Sequence, residues 1–124
     1  MTTVCLDTNV LIDYLRNVEE AYGYFESLLK RPSASVVTIT ELIVGAKSRR
    51  EEDRIAQLED IVLFLPVTLE IARRAGQFTK HYRASHGIDD ADALIAATAE
   101  QHKLPLATLN VKHFPMFPKL KRAY

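Results

Sequence analysis

Short apolar runs alternate along the chain with apolar stripes at helical spacing. The runs, typical of short strands, lie at residues 4–6, 35–38, 64–67 and 104–108. The stripes repeat every three to four positions and predict amphipathic helices in residues 10–18, 22–29, 40–46, 55–62, 71–82 and 91–99. Strands separated by helices call for parallel pairing. The pattern therefore predicts an α/β protein, a three-layer α/β/α sandwich with a short central parallel sheet.

Two segments sharpen this picture. Residues 91–99 are apolar almost all round, with Leu94 and Ile95 among five alanines, which predicts a helix packed closely between other elements. His86 and Gly87 predict the end of the helix before it, because glycine commonly closes helices.

The chain has the size and composition of one globular domain. It has 124 residues, of which 48% are apolar, so we expect a single domain over residues 1–124 with a sizeable core. The longest apolar run, residues 61–67, is far shorter than the roughly 20 residues that cross a bilayer. No signal-peptide pattern opens the chain, and the lone Cys5 excludes an internal disulfide, so a cytoplasmic location is expected.

The net charge of zero conceals an asymmetry between the two halves. Residues 1–62 hold 7 basic and 11 acidic residues, and residues 63–124 hold 9 and 5, which gives −4 and +4. This distribution allows a basic surface built mainly from the second half, although charge alone favours the simpler explanation of solvated helix faces.

Polar residues stand where the predicted strands end. Asp7, Glu41 and Asn110 each follow a predicted strand, and the helix that begins near Asp92 can bring its first turn to the same edge. Open parallel sheets place their ligand sites beyond the carboxyl ends of the strands. We therefore expect these side chains to converge.

Each of these residues also has an ordinary structural explanation. Asp7 is suited to cap the first helix, and Thr38 with Glu41 has the spacing of a capping box. Acidic residues in the first turn of a helix are favoured by the helix dipole, which accounts for Asp89, Asp90 and Asp92. Asn110 is a common turn residue.

Three converging carboxylates would require a cation. Two like charges about 4 Å apart repel by roughly 4 kcal/mol at an effective dielectric of 20. Three carboxylates form three such pairs, and their combined repulsion would be comparable with the whole stability of a domain, roughly 5–15 kcal/mol. Oxygen ligands favour Mg²⁺ or Mn²⁺, ions that suit phosphate chemistry. The histidines lack zinc-site spacing and are interpreted as surface or helix-end residues: His81, His86, His102 and His113.

The order of these motifs resembles that of PIN-domain ribonucleases, in particular the VapC-type toxins of toxin–antitoxin pairs. The similarity rests on residues 7–12, on Thr38, Glu41 and Gly45, on residues 92–99, and on residues 107–114. It implies a PIN-like fold and an endoribonuclease that depends on Mg²⁺ or Mn²⁺ and acts on RNA. It also implies a small antitoxin whose C-terminal segment lies over the active-site groove, and a homodimer.

The resemblance assigns roles by position. Asp7, Glu41 and Asp92 match the acidic residues of the family, and Asn110 matches a fourth position that is often aspartate. An asparagine there adds no negative charge, which favours a mechanism with one metal ion. The hypothesis is that Asp7 and Asp92 bind the ion, that Glu41 completes the site or orients the attacking water, and that hydrolysis leaves a 5′-phosphate and a 3′-hydroxyl.

Further residues support this hypothesis from the rim of the site. Asn110 is expected to position a water or a phosphate oxygen, and Thr8 a neighbouring ligand. Asp89 or Asp90 is a possible substitute for the missing charge, depending on where the helix begins. The candidates for gripping the RNA backbone are Arg49, Arg73 and Arg74.

Two other function classes fit parts of the pattern. A haloacid-dehalogenase-like phosphatase also opens with a strand and Asp-x-Asp, although position 9 here is asparagine. A catalytically inactive PIN module that only binds RNA or antitoxin would explain Asn110 as the mark of a decayed site. A phospho-aspartate intermediate would favour the first, and RNA binding without cleavage in Mn²⁺ the second.

Overall fold

Four short parallel strands form the centre of the protein in a computed structural model that describes residues 3–124. The strands are β1 (Cys5–Leu6), β2 (Ser33–Ser35), β3 (Leu63–Leu65) and β4 (Leu106–Ala107), in the spatial order β3-β2-β1-β4. The helices are α1 (Thr8–Leu15), α2 (Glu19–Ser27), α3 (Val36–Gly45), α4 (Arg49–Gln57), α5 (Leu69–His86) and α6 (Asp90–Gln101). Two 3₁₀ helices, Leu58–Asp60 and Val111–His113, complete the structure.

Alternate residues of β1 belong to two separate cores. Cys5 packs into a cluster with α5 and α6, including Phe78, Ile95 and Phe114. Leu6, on the opposite face, packs into a cluster with α1, α3 and α4. Since neighbouring residues of a strand point to opposite faces, the helices cover both sides of the sheet. The three-layer α/β/α architecture predicted from the pattern is confirmed.

The second strand lies earlier than predicted. The sequence favoured a strand over residues 35–38, but β2 ends at Ser35 and α3 begins at Val36. The Ser35 hydroxyl caps this helix by accepting a hydrogen bond from the Val37 N–H. Tertiary packing overrides the β preference of these β-branched residues, because the helix buries Thr38 completely. β1 is one residue and β4 three residues shorter than predicted, and β3 begins one residue earlier and ends two residues earlier than predicted.

The junction between α5 and α6 brings the first turn of α6 to the carboxyl edge of the sheet. Gly87 ends α5 in the left-handed conformation with φ of 64°, as its position predicted. Asp89 caps α6 two residues later. Within residues 3–124, no helix is both long and apolar enough to cross a membrane.

Candidate active site

Asp7 directly follows β1 and is buried, with 5% of its surface exposed. Its Oδ1 accepts a hydrogen bond from the Thr8 N–H at 2.8 Å, so it caps α1 as the structural explanation predicted. Its Oδ2 accepts a hydrogen bond from the Thr108 hydroxyl at 2.7 Å. Burial raises the pKa of Asp7, and the negative charge of Glu41 raises it further.

Thr108 is a residue that sequence reasoning named only as part of a motif. It lies directly after β4 and is fully buried. Its hydroxyl donates to Asp7 and accepts a hydrogen bond from the Asn110 N–H at 2.9 Å. Thr108 therefore connects the ends of β1 and β4 and fixes both Asp7 and the backbone of Asn110.

Glu41 does not form the predicted capping box with Thr38. Ser35 is the cap of α3, and both residues lie inside the helix. The Glu41 Oε1 instead accepts a hydrogen bond from the Thr8 hydroxyl at 2.6 Å. Since Thr8 donates there, the Thr38 hydroxyl donates to Thr8, 2.9 Å away. Thr8 thus links the start of α1 to the carboxylate on α3.

Asp92 lies in the first turn of α6, and Asp89 holds it there. Asp89 Oδ1 accepts from the Asp92 N–H at 2.8 Å, and Asp92 Oδ2 lies 3.4 Å from the Asp89 N–H, which forms a capping box. Burial, then the charges of Asp89 and Asp7, raise the pKa of Asp92 to about 6. Asp90 points away and forms an ion pair with Arg83 at 2.8 Å.

His113 was interpreted as a surface or helix-end residue, and that interpretation is incomplete. It ends the second 3₁₀ helix and is half-buried, but its Nδ1 lies 3.1 Å from Asp92 Oδ2 and 3.0 Å from Asn110 Nδ2. The imidazole lowers the pKa of both Asp7 and Asp92. The only signal in the sequence is its position three residues after Asn110, within the same helical turn.

The predicted meeting of three carboxylates in one group is not observed. In the described part of the chain, no three histidine, cysteine or acidic side chains stand close enough together to hold an ion. Thr8 lies between two of them, since its N–H bonds Asp7 and its hydroxyl bonds Glu41.

The donor set nevertheless fits a hydrated divalent cation. Among the described residues, no lysine or arginine forms an ion pair with Asp7, Glu41 or Asp92. Mg²⁺ is usually bound through one or two carboxylates and keeps several waters. Two carboxyl groups with raised pKa at the same edge, Asp7 and Asp92, match that requirement.

The three arginines proposed to grip RNA lie on α4 and α5, and their role stays a prediction. Arg74 binds Glu100 at 2.7 Å, eight residues beyond Asp92 on α6, or about 12 Å along the helix axis. Arg73 precedes it on α5 and is exposed, and Arg49 lies 3.9 Å from Asp53 at the exposed start of α4.

Two arginines that the sequence did not single out, Arg16 and Arg54, line a cavity together with Glu41. A cavity of about 120 Å³ between α1, α3 and α4 is lined by Glu41, Leu42, Arg16 and Arg54, among others. Arg54 also donates to the Leu15 carbonyl oxygen at 2.6 Å, which ties α4 to α1. No periodicity in the sequence indicated that these helices meet beside the site.

Fold and site together define a class of protein: an α/β domain with a buried carboxylate, Asp7, and a partly buried one, Asp92, at the carboxyl edge of its parallel sheet. This arrangement is suited to metal-assisted chemistry on phosphates. The sequence matches the family model of the PIN domain over residues 4–119. The chain belongs to the PIN-domain family. The phosphatase alternative is excluded by this membership, and Asn9, which accepts a hydrogen bond from the Leu109 N–H, occupies the position where that class needs a second aspartate.

Similar proteins carry consistent names. The chain is 42% identical over 120 residues to Ribonuclease VapC10 of Mycobacterium tuberculosis, covering 95% of this chain and 90% of that protein. It is 34% identical to Ribonuclease VapC1 of Methanocaldococcus jannaschii, covering 90% of this chain and 78% of that protein. A toxin–antitoxin complex from Klebsiella pneumoniae contains a chain with a TM-score of 0.82 and 30% identity, with 98% of each chain covered.

Proposed function

We propose that the protein is an endoribonuclease, the toxin of a type II toxin–antitoxin pair, which hydrolyses RNA with the help of Mg²⁺ or Mn²⁺. Membership of the PIN family and the similarity to proteins named as VapC ribonucleases support this proposal. The observation that carries it is the buried carboxylate of Asp7. It lies at the carboxyl edge of the sheet, and no lysine or arginine among the described residues neutralises it.

Asp7 and Asp92 would hold the ion, and Glu41 would complete the site or orient water. When bound, the ion would neutralise phosphate charge and increase the acidity of water. Thr8 positions Glu41, and Asp89 holds Asp92 through the capping box. Asn110 directs its amide toward His113 and its backbone toward Thr108, so it would position substrate or water rather than carry charge.

The proposed inhibitor is a small antitoxin with a segment that covers the groove beside Glu41. The cavity there combines apolar walls from Ile12 and Leu42 with the charges of Arg16 and Glu51, which suits a peptide of mixed side chains. A structure described as DNA-bound VapBC from Salmonella typhimurium shares the fold, with a TM-score of 0.73 and 26% identity. Expression together with the protein encoded by the adjacent reading frame should suppress cleavage.

A homodimer in the cytoplasm is the proposed form of the free toxin. Its support is the end of α3, where two adjacent apolar side chains, Ile43 and Val44, are 44% and 81% exposed. Association of two copies there would remove these side chains from water. Sedimentation of the wild type and of Val44→Lys should show a dimer and a weakened dimer respectively.

The test of the function is cleavage of a mixed-sequence RNA by the purified protein in Mg²⁺, in Mn²⁺ and in EDTA. Cleavage should require a divalent ion and should be lost in Asp7→Asn, because the variant keeps the size of the side chain and removes the charge. Asp60→Asn is the matched control, since Asp60 is exposed on the 3₁₀ helix before β3, at the opposite edge of the sheet. Cleavage in EDTA, or by Asp7→Asn at the wild-type rate, would contradict the proposal. RNA binding without cleavage in Mn²⁺ would favour the inactive module.

A further inference from the structure

One basic residue of the second half of the chain borders the proposed active site. Lys112 lies two residues after Asn110 and directly before His113. The His113 imidazole is 3.1 Å from the Asp92 carboxylate. Lys112 is exposed, and no acidic side chain among residues 3–124 forms an ion pair with it. Its positive charge is therefore available to a ligand.

An open cleft of about 400 Å³ lies between the second 3₁₀ helix and the end of α5. It is lined by Val111, Lys112 and Pro115 on one side and by Ser85 and His86 on the other. The first side continues into His113, which contacts Asp92. The second side continues into Asp89, whose carboxylate accepts a hydrogen bond from the Asp92 N–H at 2.8 Å. A ligand in the cleft therefore lies against the two segments that hold Asp92.

The α5 side of the cleft offers a hydrogen-bond donor in addition to the lysine. Ser85 Oγ and His86 Nδ1 lie 2.7 Å apart and share one hydrogen. Whichever residue donates it, the other retains an O–H or an N–H of its own. The Tyr82 carbonyl oxygen is 3.4 Å from Ser85 Oγ, too far to compete strongly for that hydrogen. The cleft can thus bind oxygen atoms from both sides.

The size and charge of the cleft favour a single strand of a nucleic acid. Its volume is in the range of small-ligand sites, roughly 300–1,000 Å³, so a duplex does not fit into it. The neighbouring carboxylates of Asp89 and Asp92 repel a polyanion, so that a strand reaching them needs a cation close by. A lysine ammonium binds a phosphate as a point charge. Val111 and Pro115 add apolar surface against which a sugar or base can pack.

From this arrangement we propose that the cleft is a subsite for the backbone of single-stranded RNA, in which Lys112 binds a phosphate that flanks the cleavage position. Ser85 and His86 donate to the same phosphate or to a ribose oxygen. The inference rests on the proposed ribonuclease function, and it gives that function a path along which the strand reaches Asp92. The basic residue on this path is Lys112, which is not one of the arginines expected from the sequence.

Binding of a short fluorescein-labelled single-stranded RNA, measured by fluorescence anisotropy in EDTA at several KCl concentrations, tests the charge contact. The logarithm of the affinity falls linearly with the logarithm of the salt concentration, by about 0.7 per phosphate contact for a single strand. Lys112→Ala should make this slope shallower by about 0.7. Its affinity at about 0.1 M KCl should fall about fivefold, which is that slope over the decade from 1 M to 0.1 M.

Two matched variants separate this contact from a general effect of charge. Lys112→Arg keeps the charge and should retain the wild-type slope. Lys30→Ala removes an exposed lysine just before β2, at the opposite edge of the sheet, and should also retain it. Ser85→Ala should weaken binding by about two- to tenfold equally at every salt concentration, because it removes a neutral hydrogen bond. Thermal melting of each variant shows that it is folded.

Nuclear magnetic resonance locates the strand on the protein. Addition of the same RNA in EDTA should shift the backbone amide signals of residues 85–86 and 111–112. Shifts confined to other residues, equal slopes for Lys112→Ala and Lys30→Ala, or no binding by the wild type would overturn the inference. If cleavage in Mn²⁺ persists in any of these cases, only the subsite is refuted. Binding that depends on Lys112 without cleavage in Mg²⁺ or Mn²⁺ would support the subsite and contradict the proposed ribonuclease.

Discussion

Replacing Thr108 by valine should damage both the stability and the activity of the protein. Valine matches the shape of threonine but has no hydroxyl, so Asp7 Oδ2 loses its donor at 2.7 Å and the Asn110 N–H loses its acceptor at 2.9 Å. Thr108 is fully buried, so water does not easily replace either partner. The bond to a carboxylate contributes about 1.5–3 kcal/mol and the neutral bond about 1 kcal/mol.

The expected cost for Thr108→Val is therefore about 2.5–4 kcal/mol in the free energy of unfolding. For a domain of this size, that loss corresponds to a fall of about 10–15 °C in the melting temperature. Cleavage should fall about 10–100-fold, as is typical when a residue that orients a metal ligand is lost.

Thr108→Ser is the matched control for this prediction, because it keeps the hydroxyl and removes one methyl group. Its loss of stability should stay near 1 kcal/mol, about the value of one buried carbon, with cleavage close to wild type. Urea unfolding in EDTA and cleavage in Mn²⁺ measure the two effects. The reasoning is refuted if the valine variant is as stable and as active as the serine variant.

Three further predictions concern stability. Because folding raises the pKa of Asp92 to about 6, the folded metal-free protein binds that proton more tightly than the unfolded chain does, so this contribution to stability is full below about pH 4 and is lost as pH rises through 6. Thermal melting in EDTA should show that the free energy of unfolding falls by about 1–2 kcal/mol over this pH range, after allowance for solvent screening. Asp92→Asn should abolish this loss, and absence of the loss in the wild type would contradict the account. Tyr124→Phe removes the hydrogen bond to Asp13 at 2.6 Å, and urea unfolding should show a loss of about 1 kcal/mol in the free energy of unfolding. A variant as stable as the wild type would mean that the C-terminus does not anchor α1. Gly87→Ala should destabilise the protein by about 1–2 kcal/mol, because Gly87 has a φ of 64°. Gly76→Ala, on the exposed face of α5, should stabilise it by about 0.5–1 kcal/mol. A change in melting temperature of the same sign for both variants would disprove this reasoning.

Periodicity predicted the architecture because the strands of this fold are short, apolar and separated by amphipathic helices. The apolar character of residues 91–99 correctly indicated a buried helix, and α6 packs between α5 and the sheet. The residues at which the helices and strands begin and end were less predictable. The β-branched residues 36–38 favour a strand, but they are helical because Ser35 caps the helix and the core buries Thr38.

The site was predictable where residues follow strand ends and where the first turn of α6 places Asp92. Asp7 and Asn110 lie at the expected edge because parallel strands carry their carboxyl ends to one side. His113 was not predictable from spacing, since its contact with Asp92 depends on how the turn after β4 folds over α6. The separation of Asp7 from Glu41 by Thr8 is likewise a consequence of side-chain packing that periodicity does not describe.

Anomalous diffraction from crystals soaked in Mn²⁺ tests the central claim most directly. The account predicts one strong peak within about 2.5 Å of carboxylate oxygens of both Asp7 and Asp92. Crystals of Asp7→Asn should lack it. A wild-type crystal with no peak at this edge of the sheet, or with its only peak on another surface, would contradict the account.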